Sequence, residues 1–251
     1  MRIAAVVLDW AGRATARLIG ETLEAEGDSL DILENTSPGG LPSLSAQGFA
    51  EYEGLVFIMA AGIAVRMIAP HLENKYEDPA VVVLDHARRY AVSLLSGHEG
   101  GANRLAYLVA EATGAEPVVT TGTETGKTVT LGIGCRRGVK REDVVDSIAR
   151  GCGAAGVELG EIRVAATTDF KRNETGLKEA CRELGIPLRF FSAARINALR
   201  GDFEENEVTL RQLGLNAVAE PCALLAGREA KLILPKTIYT DTTVALAREE
   251  S

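Results

Sequence analysis

Two apolar periodicities alternate along the chain. Residues 2–8 (RIAAVVL) form a β-branched run, and after a glycine turn residues 15–26 set Leu18, Ile19, Thr22 and Leu23 on one helical face. LDILEN (30–35) reads as a strand, residues 37–45 as a Pro/Gly/Ser loop and GLVFIMA (54–60) as a buried strand. A helix through Ile63 and Met67 is stopped before Pro70, whose ring cannot continue it. Strands follow at AVVVLD (80–85) and YAVSLL (90–95). Residues 102–113 repeat Leu105, Leu108, Val109 and Ala112 at helical spacing and stop at Gly114, and EPVVTT (116–121) closes the first half.

The periodicity vanishes in TTGTETGKT (120–128), a threonine- and glycine-rich stretch of linker type. It restarts with the strand VTLGIG (129–134), the turn CRRG, a helix over 141–150, the strand EIRVAATT (161–168), a helix over 174–184 and the strand LRFF (188–191). A helix around 217–225 leads to KLILP and TTVALA, which can pair as an antiparallel hairpin. Alternating strands and helices predict an α/β chain. The expected architecture is two α/β domains, 1–126 and 127–251, with mostly parallel sheets. In such sheets ligands meet the loops beyond the carboxyl ends of the strands.

Composition narrows the function classes. With 46% hydrophobic and 25% charged residues the chain can bury a sizeable core, and a formal net charge of −8 argues against a general nucleic-acid binder. No apolar run has the length of a membrane span, since GLVFIMAAGIAV is broken by glycine and soon meets Arg66. Cys135, Cys152, Cys181 and Cys222 make no C-x-x-C pair, and the start of the chain carries no signal-peptide pattern, so the thiols are expected to be reduced and the protein cytoplasmic. His71, His86 and His98 match no common zinc spacing, and no protein-held metal is expected.

The candidate chemistry starts at LLSGHEGGANR (94–104), where a strand ends, a histidine and a carboxylate pass between glycines, and a helix begins. Glycines let backbone approach a ligand, and the first N–H groups of a helix favour an anion or a developing oxyanion. His98 exchanges protons near neutral pH and Glu99 can orient it or act as a base. A tight strand-to-helix connection with two solvated side chains is the alternative. Ser96 as nucleophile is disfavoured, because LLSGH lacks the G-x-S-x-G elbow. In the second half LGIGCRRG resembles a dinucleotide turn only loosely, while its Arg136 and Arg137 can grip carboxylates or simply be solvated. VAATTDFKRNETG places Thr167, Thr168, Asp169, Lys171 and Asn173 at a strand end, where an open sheet presents its ligand site or a helix its cap. Glu220, before Pro221, reads as a cap or a polar ligand contact.

LLSGHEGGANRLA, preceded by DPAVVVLD, resembles the signature of the cobalt-precorrin-5A hydrolase family of anaerobic cobalamin biosynthesis. LGIGCRRG, ATTDFKRNETGL and AVAEPCALLA are similar to the family's carboxy-terminal domain, in that order, and TTGTETGKT stands where family members commonly carry a middle segment. The resemblance implies opening of the substrate lactone with water and loss of acetaldehyde to give cobalt-precorrin-5B. Chemistry then assigns His98 as general acid/base, Glu99 as its modulator, the N–H groups of Gly100 and Gly101 as oxyanion donors, and Ser96 and Asn103 as positioning groups beside Gly97. A corrinoid is a flat ring rimmed with carboxylates, so the resemblance implies a substrate cleft between the two domains, and Gly134, Cys135, Arg136, Arg137, Thr167, Thr168, Asp169, Lys171 and Glu220 are expected to bind substrate, with Arg172 nearby. No cofactor is implied, because cobalt arrives in the substrate. A homodimer and transient contact with other enzymes of the pathway are further expectations. Two other functions stay open: a non-catalytic corrinoid carrier, and a nucleotide-binding regulatory protein.

Overall fold

The computed structural model describes residues 1–35, 40–201, 203, 210 and 214–250. The chain divides into two compact units, Met1–Thr123 and Glu124–Ser251, a few residues ahead of the boundary expected after 126. No helix among the described residues is long and apolar enough to cross a membrane.

The amino-terminal unit runs β1 (Arg2–Val7), α1 (Trp10–Ala25), β2 (Ser29–Glu34), α2 (Gly40–Glu51), β3 (Gly54–Ile58), α3 (Ala61–Ile68), β4 (Ala80–Leu84), β5 (Tyr90–Leu95), α4 (Ala102–Thr113) and β6 (Glu116–Val118). The six strands form one sheet in the order β2-β1-β3-β4-β5-β6. Its strands carry apolar side chains on both faces because both faces are covered. Ile3, Ala5 and Val7 pack with Ile19 and Leu23 of α1 and Leu105 and Val109 of α4, while Ala4 and Val6 pack with Leu44 of α2 and Ala64 and Ile68 of α3. β1 to β4 are parallel, but β5 is antiparallel to β4 with Val81 opposite Leu95, and β6 follows β5.

Two helices differ from expectation. α1 begins at Trp10 because the Asp9 side chain accepts from the Gly12 N–H at 2.8 Å, capping the first turn. Residues 40–45, read as loop, are the first half of α2; residues 37–39 of that expected loop lie outside the described residues. Pro42 is tolerated there since a first helical turn has no N–H partner to lose. Gly48 is required by packing, as a Cβ would sit 2.8 Å from Leu55 Cδ2.

The carboxy-terminal unit runs β7 (Val129–Cys135), α5 (Arg141–Ala155), β8 (Ile162–Thr168), α6 (Thr175–Glu183), β9 (Leu188–Phe191), α7 (Ala193–Ala198), α8 (Ala219–Ala226), β10 (Lys231–Tyr239) and β11 (Thr242–Arg248). Its sheet has the order β10-β11-β7-β8-β9. β7, β8 and β9 are parallel, and β10 and β11 form the antiparallel hairpin. Leu131 and Ile133 pack with Val144 and Ile148 of α5 and Leu177 and Cys181 of α6. α8 lies on the other face, so close to β7 that a Cβ on Gly132 would sit 1.8 Å from the Ala219 carbonyl oxygen. The carboxyl ends of β7 and β8 and the turn before β11 share one edge, since Gly132 stands opposite Ala166 and Cys135 opposite Thr242.

Candidate functional site

Strand direction decides where the glycine loop emerges. Because β5 runs against β4, residues 96–101 leave the sheet at the edge where β4 begins, beside the loop 72–79 that enters it. The loop follows the carboxyl end of its own strand, yet it lies at the amino ends of the parallel ones. The rule of carboxyl ends therefore does not locate it.

The loop is held by its own polar groups. Ser96 has a left-handed backbone, φ +52°, which a residue with a Cβ adopts only when its surroundings impose it. Its hydroxyl is buried and donates to the Asp78 carbonyl at 2.9 Å, so Ser96 shapes the loop instead of meeting a ligand. Asn103 is likewise engaged: its carbonyl oxygen accepts from Ser93 at 2.8 Å and its amide donates to Thr121 at 2.9 Å. Gly97 faces this pair, and a Cβ there would meet Thr121 Cγ2 at 2.5 Å. The expected oxyanion donor Gly100 is corrected too, since its N–H donates to the Ser96 carbonyl at 3.0 Å. The N–H groups of Ala102 and Asn103 turn inward to Ser96 and Gly97 at 3.2 and 2.9 Å. Gly101, at φ +84°, keeps an N–H with no partner among the described residues.

What remains outward is His98 and Glu99, both exposed. Glu99 Oε1 accepts from Lys75 Nζ at 2.8 Å, and that ammonium also lies 4.8 Å over the ring of Tyr76. The ammonium, followed by the backbone N–H of Glu99, holds this carboxyl below the usual carboxylate range, and His98 adds to the effect. The neighbouring Glu77 carboxyl raises the Glu73 carboxyl above the usual carboxylate range. Glu73, Lys75, Tyr76 and Glu77 were not among the expected site residues. LENKYEDP (72–79) is polar and precedes a strand, but only the antiparallel pairing of β4 and β5 brings it to the histidine. His71 stacks at 5.6 Å on Phe49, and no group of three His, Cys, Asp or Glu that could hold a metal occurs among the described residues.

In the carboxy-terminal unit the expected residues divide into three groups. Arg136 is exposed and anchored to the turn before β11, its guanidinium 3.0 Å from Asp241 Oδ1 and its N–H 2.9 Å from the Asp241 carbonyl. Arg137 is exposed and has no ion-pair partner among the described residues. Lys171 is largely buried and pairs with Glu174 at 3.3 Å, whose other oxygen accepts from the Gly138 N–H at 2.6 Å. Burial pushes the Cys135 thiol up to about 11 against the pull of Lys171, so it is a neutral thiol near pH 7. Thr168 is buried and donates to Asp169 at 3.3 Å, while the fully buried Thr167 hydroxyl has no hydrogen-bond partner among the described residues. Gly134 lies beside Val218 at the start of α8, and Arg172 stacks on Phe190 at 5.0 Å. Glu220 is corrected: it is buried and accepts from the Lys236 N–H at 3.0 Å, tying α8 to β10.

Both units have counterparts among known proteins. Residues 43–124 match the family described as Cobalamin synthesis G N-terminal, and residues 129–247 that described as Cobalamin synthesis G C-terminus. The chain belongs to the cobalamin synthesis G family. Cobalt-precorrin-5A hydrolase of Salmonella typhimurium is 50% identical over 86 residues, 34% of this chain and 24% of that protein. Its counterpart in Priestia megaterium is 51% identical over 89 residues, 36% and 23% of the two chains. Protein CobE of a Sinorhizobium species is 34% identical over 127 residues, 50% of this chain and 82% of that protein. The matched stretch thus spans about a quarter of the length of the two hydrolases. Within this cobalamin synthesis G chain, the exposed acid–base groups belong to the amino-terminal unit and the exposed Arg136 and Arg137 to the carboxy-terminal one.

Proposed function

We propose that this protein acts in cobalamin biosynthesis as a hydrolase that opens the lactone of cobalt-precorrin-5A and releases acetaldehyde to give cobalt-precorrin-5B. The observation that carries the reading is the outward presentation of His98 and Glu99 on a loop whose other polar groups are largely closed on one another. Support comes from the local identity to proteins named cobalt-precorrin-5A hydrolase.

His98 takes a proton from water as the oxygen attacks the lactone carbonyl, and returns it to the departing ring oxygen. The Gly101 N–H is the donor available for the tetrahedral oxyanion. The products of this step are a carboxylic acid and an alcohol. Loss of the alcohol's proton to the base then breaks the adjacent carbon–carbon bond, so acetaldehyde leaves and the ring carbon takes up a proton. Glu99 orients the imidazole or shares the proton. Arg136 and Arg137 pair with rim carboxylates, with Lys171 supporting the strand-end surface. The cobalt ion belongs to the substrate.

The test is single-turnover incubation with cobalt-precorrin-5A, measuring acetaldehyde and the visible spectrum of the macrocycle. Stoichiometric acetaldehyde is the expected result. A spectral change on binding without acetaldehyde would identify a carrier, and no response to the corrinoid would overturn the reading.

A further inference from the structure

The two loops at the amino edge of the first sheet carry an unusual charge balance for a site that receives a polycarboxylate. LENKYEDP and SGHEGGAN together contain Glu73, Glu77, Asp78 and Glu99 against one fixed cation, Lys75. An anionic ligand approaching Glu73, Glu77 and Glu99 is repelled unless it meets that cation. Lys75 is well placed for this. Its side chain is 59% exposed, it reaches across from one loop to Glu99 on the other at 2.8 Å, and Tyr76, 75% exposed, lies beneath it. An ammonium above an open aromatic ring offers both a partner for a carboxylate and a flat apolar surface.

We propose that Lys75 determines specificity at this site: a carboxylate of the incoming ligand replaces Glu99 on its ammonium, and Tyr76 receives the flat face of the ring. The inference rests on the corrinoid reading above. Exchange of one carboxylate for another keeps the ammonium paired throughout, and it frees Glu99 beside His98 when ligand is present. Asp78 takes no part, because it is buried and its Oδ1 accepts from the Glu73 N–H at 2.9 Å. The remaining carboxylates, Glu73 and Glu77, repel anionic groups that do not reach Lys75.

The experiment compares binding of two probes by spectral titration: a cobalt corrinoid with free peripheral carboxylates, and the same corrinoid with those carboxylates converted to amides. Wild-type protein is expected to prefer the carboxylate form. Lys75→Met should weaken that form about ten- to a hundredfold, the effect of losing one charge-assisted hydrogen bond, and leave the amide form within about twofold. Lys75→Arg should retain most of the affinity. Glu99→Gln separates exchange from a structural latch: by removing the competitor it should tighten the carboxylate form about two- to tenfold. Weakened binding in Glu99→Gln, or equal affinities in wild type and Lys75→Met, overturns the exchange while leaving the corrinoid reading intact. Failure of wild type to bind either probe overturns both.

Discussion

The loop 96–103 and the strand ends at 134–137 and 167–171 handle their polar groups in opposite ways. In the first, the backbone N–H groups and the Ser96 and Asn103 side chains are largely closed on one another, and His98 and Glu99 are left in the open. In the second, the groups nearest the sheet are half-buried or buried, with a neutral Cys135, a paired Lys171 and a Thr167 hydroxyl that has no partner among the described residues, while Arg136 and Arg137 reach outward. The charges differ as well: carboxylates outnumber Lys75 around Glu99, whereas Arg136 and Lys171 are each paired with a carboxylate and Arg137 has no ion-pair partner among the described residues. An exposed acid–base pair on a fixed loop suits proton transfer, whereas outward guanidiniums suit recognition of carboxylates. The proposed division of labour is chemistry in the amino-terminal unit and binding in the carboxy-terminal one.

The sharpest break of that division is at His98. His98→Ala should slow single-turnover acetaldehyde release from cobalt-precorrin-5A by about 10²–10⁴-fold, the usual contribution of a positioned acid or base. His98→Gln should match it, since an amide keeps size and polarity but carries no proton between substrate atoms. Spectral binding titrations of both should stay near wild type. Turnover near wild type in both variants would remove His98 from the mechanism.

Cys135 measures how closed the carboxy-terminal strand end is. With its thiol raised to about 11 by burial, the thiolate is scarce at pH 8, so alkylation there should run about a hundredfold slower than for an ordinary cysteine. The rate should climb about tenfold per pH unit up to that value, because only the thiolate reacts. Mass spectrometry of the peptide that contains Cys135 gives both numbers. Fast labelling at pH 8 would mean that this edge is open and its charges solvated.

Next in size is the double variant Arg136→Ala, Arg137→Ala, expected to weaken corrinoid binding about tenfold or more while chemistry on bound substrate continues. The Asp241 ion pair of Arg136 is exposed, so its loss should leave stability within about 1 kcal/mol. Unchanged affinity would return both arginines to solvated surface.

How far sequence reached follows the same contrast. The carboxy-terminal order β7, α5, β8, α6, β9 and the closing hairpin were legible because each element has one clean apolar period and pairing follows sequence within β7–β8–β9 and within β10–β11, although β11 returns to pair with β7. The amino-terminal unit was harder at two points. α2 was hidden because Gly40, Pro42, Ser43 and Gly48 read locally as turn residues, while the packing of Leu44 and Gly48 on the sheet is tertiary. The orientation of β5 is absent from any period: a strand has the same alternation in either direction. That single reversal sets the glycine loop beside LENKYEDP, which is why Lys75 and Tyr76 escaped while His98 and Glu99, marked by their own glycines, did not. Ser96, Gly100, Asn103 and Glu220 show the converse, polar residues whose local pattern suggested a ligand and whose partners are carbonyls, hydroxyls and N–H groups of the fold.

Thr167 offers the smallest and most discriminating test. Its hydroxyl sits at the carboxyl end of β8, fully buried, with no donor or acceptor in reach among the described residues. Valine has nearly the same shape without the hydroxyl, and removing a buried group that makes no hydrogen bond also removes its desolvation cost, of about 1–3 kcal/mol when wholly unsatisfied. Thr167→Val should therefore raise stability by about 1 kcal/mol, read as an increase of about 3–5 °C in Tm. The neighbours Thr168 and Asp169 satisfy one another, so the substitution orphans nothing. The same variant should bind a carboxylate-bearing cobalt corrinoid as wild type does, because a fully buried hydroxyl is out of a ligand's reach. Stability and affinity moving in opposite directions would mark the hydroxyl as a ligand contact. A stability loss with affinity unchanged would instead show that a buried water completes it, and the binding role of the carboxy-terminal unit would rest on Arg136 and Arg137.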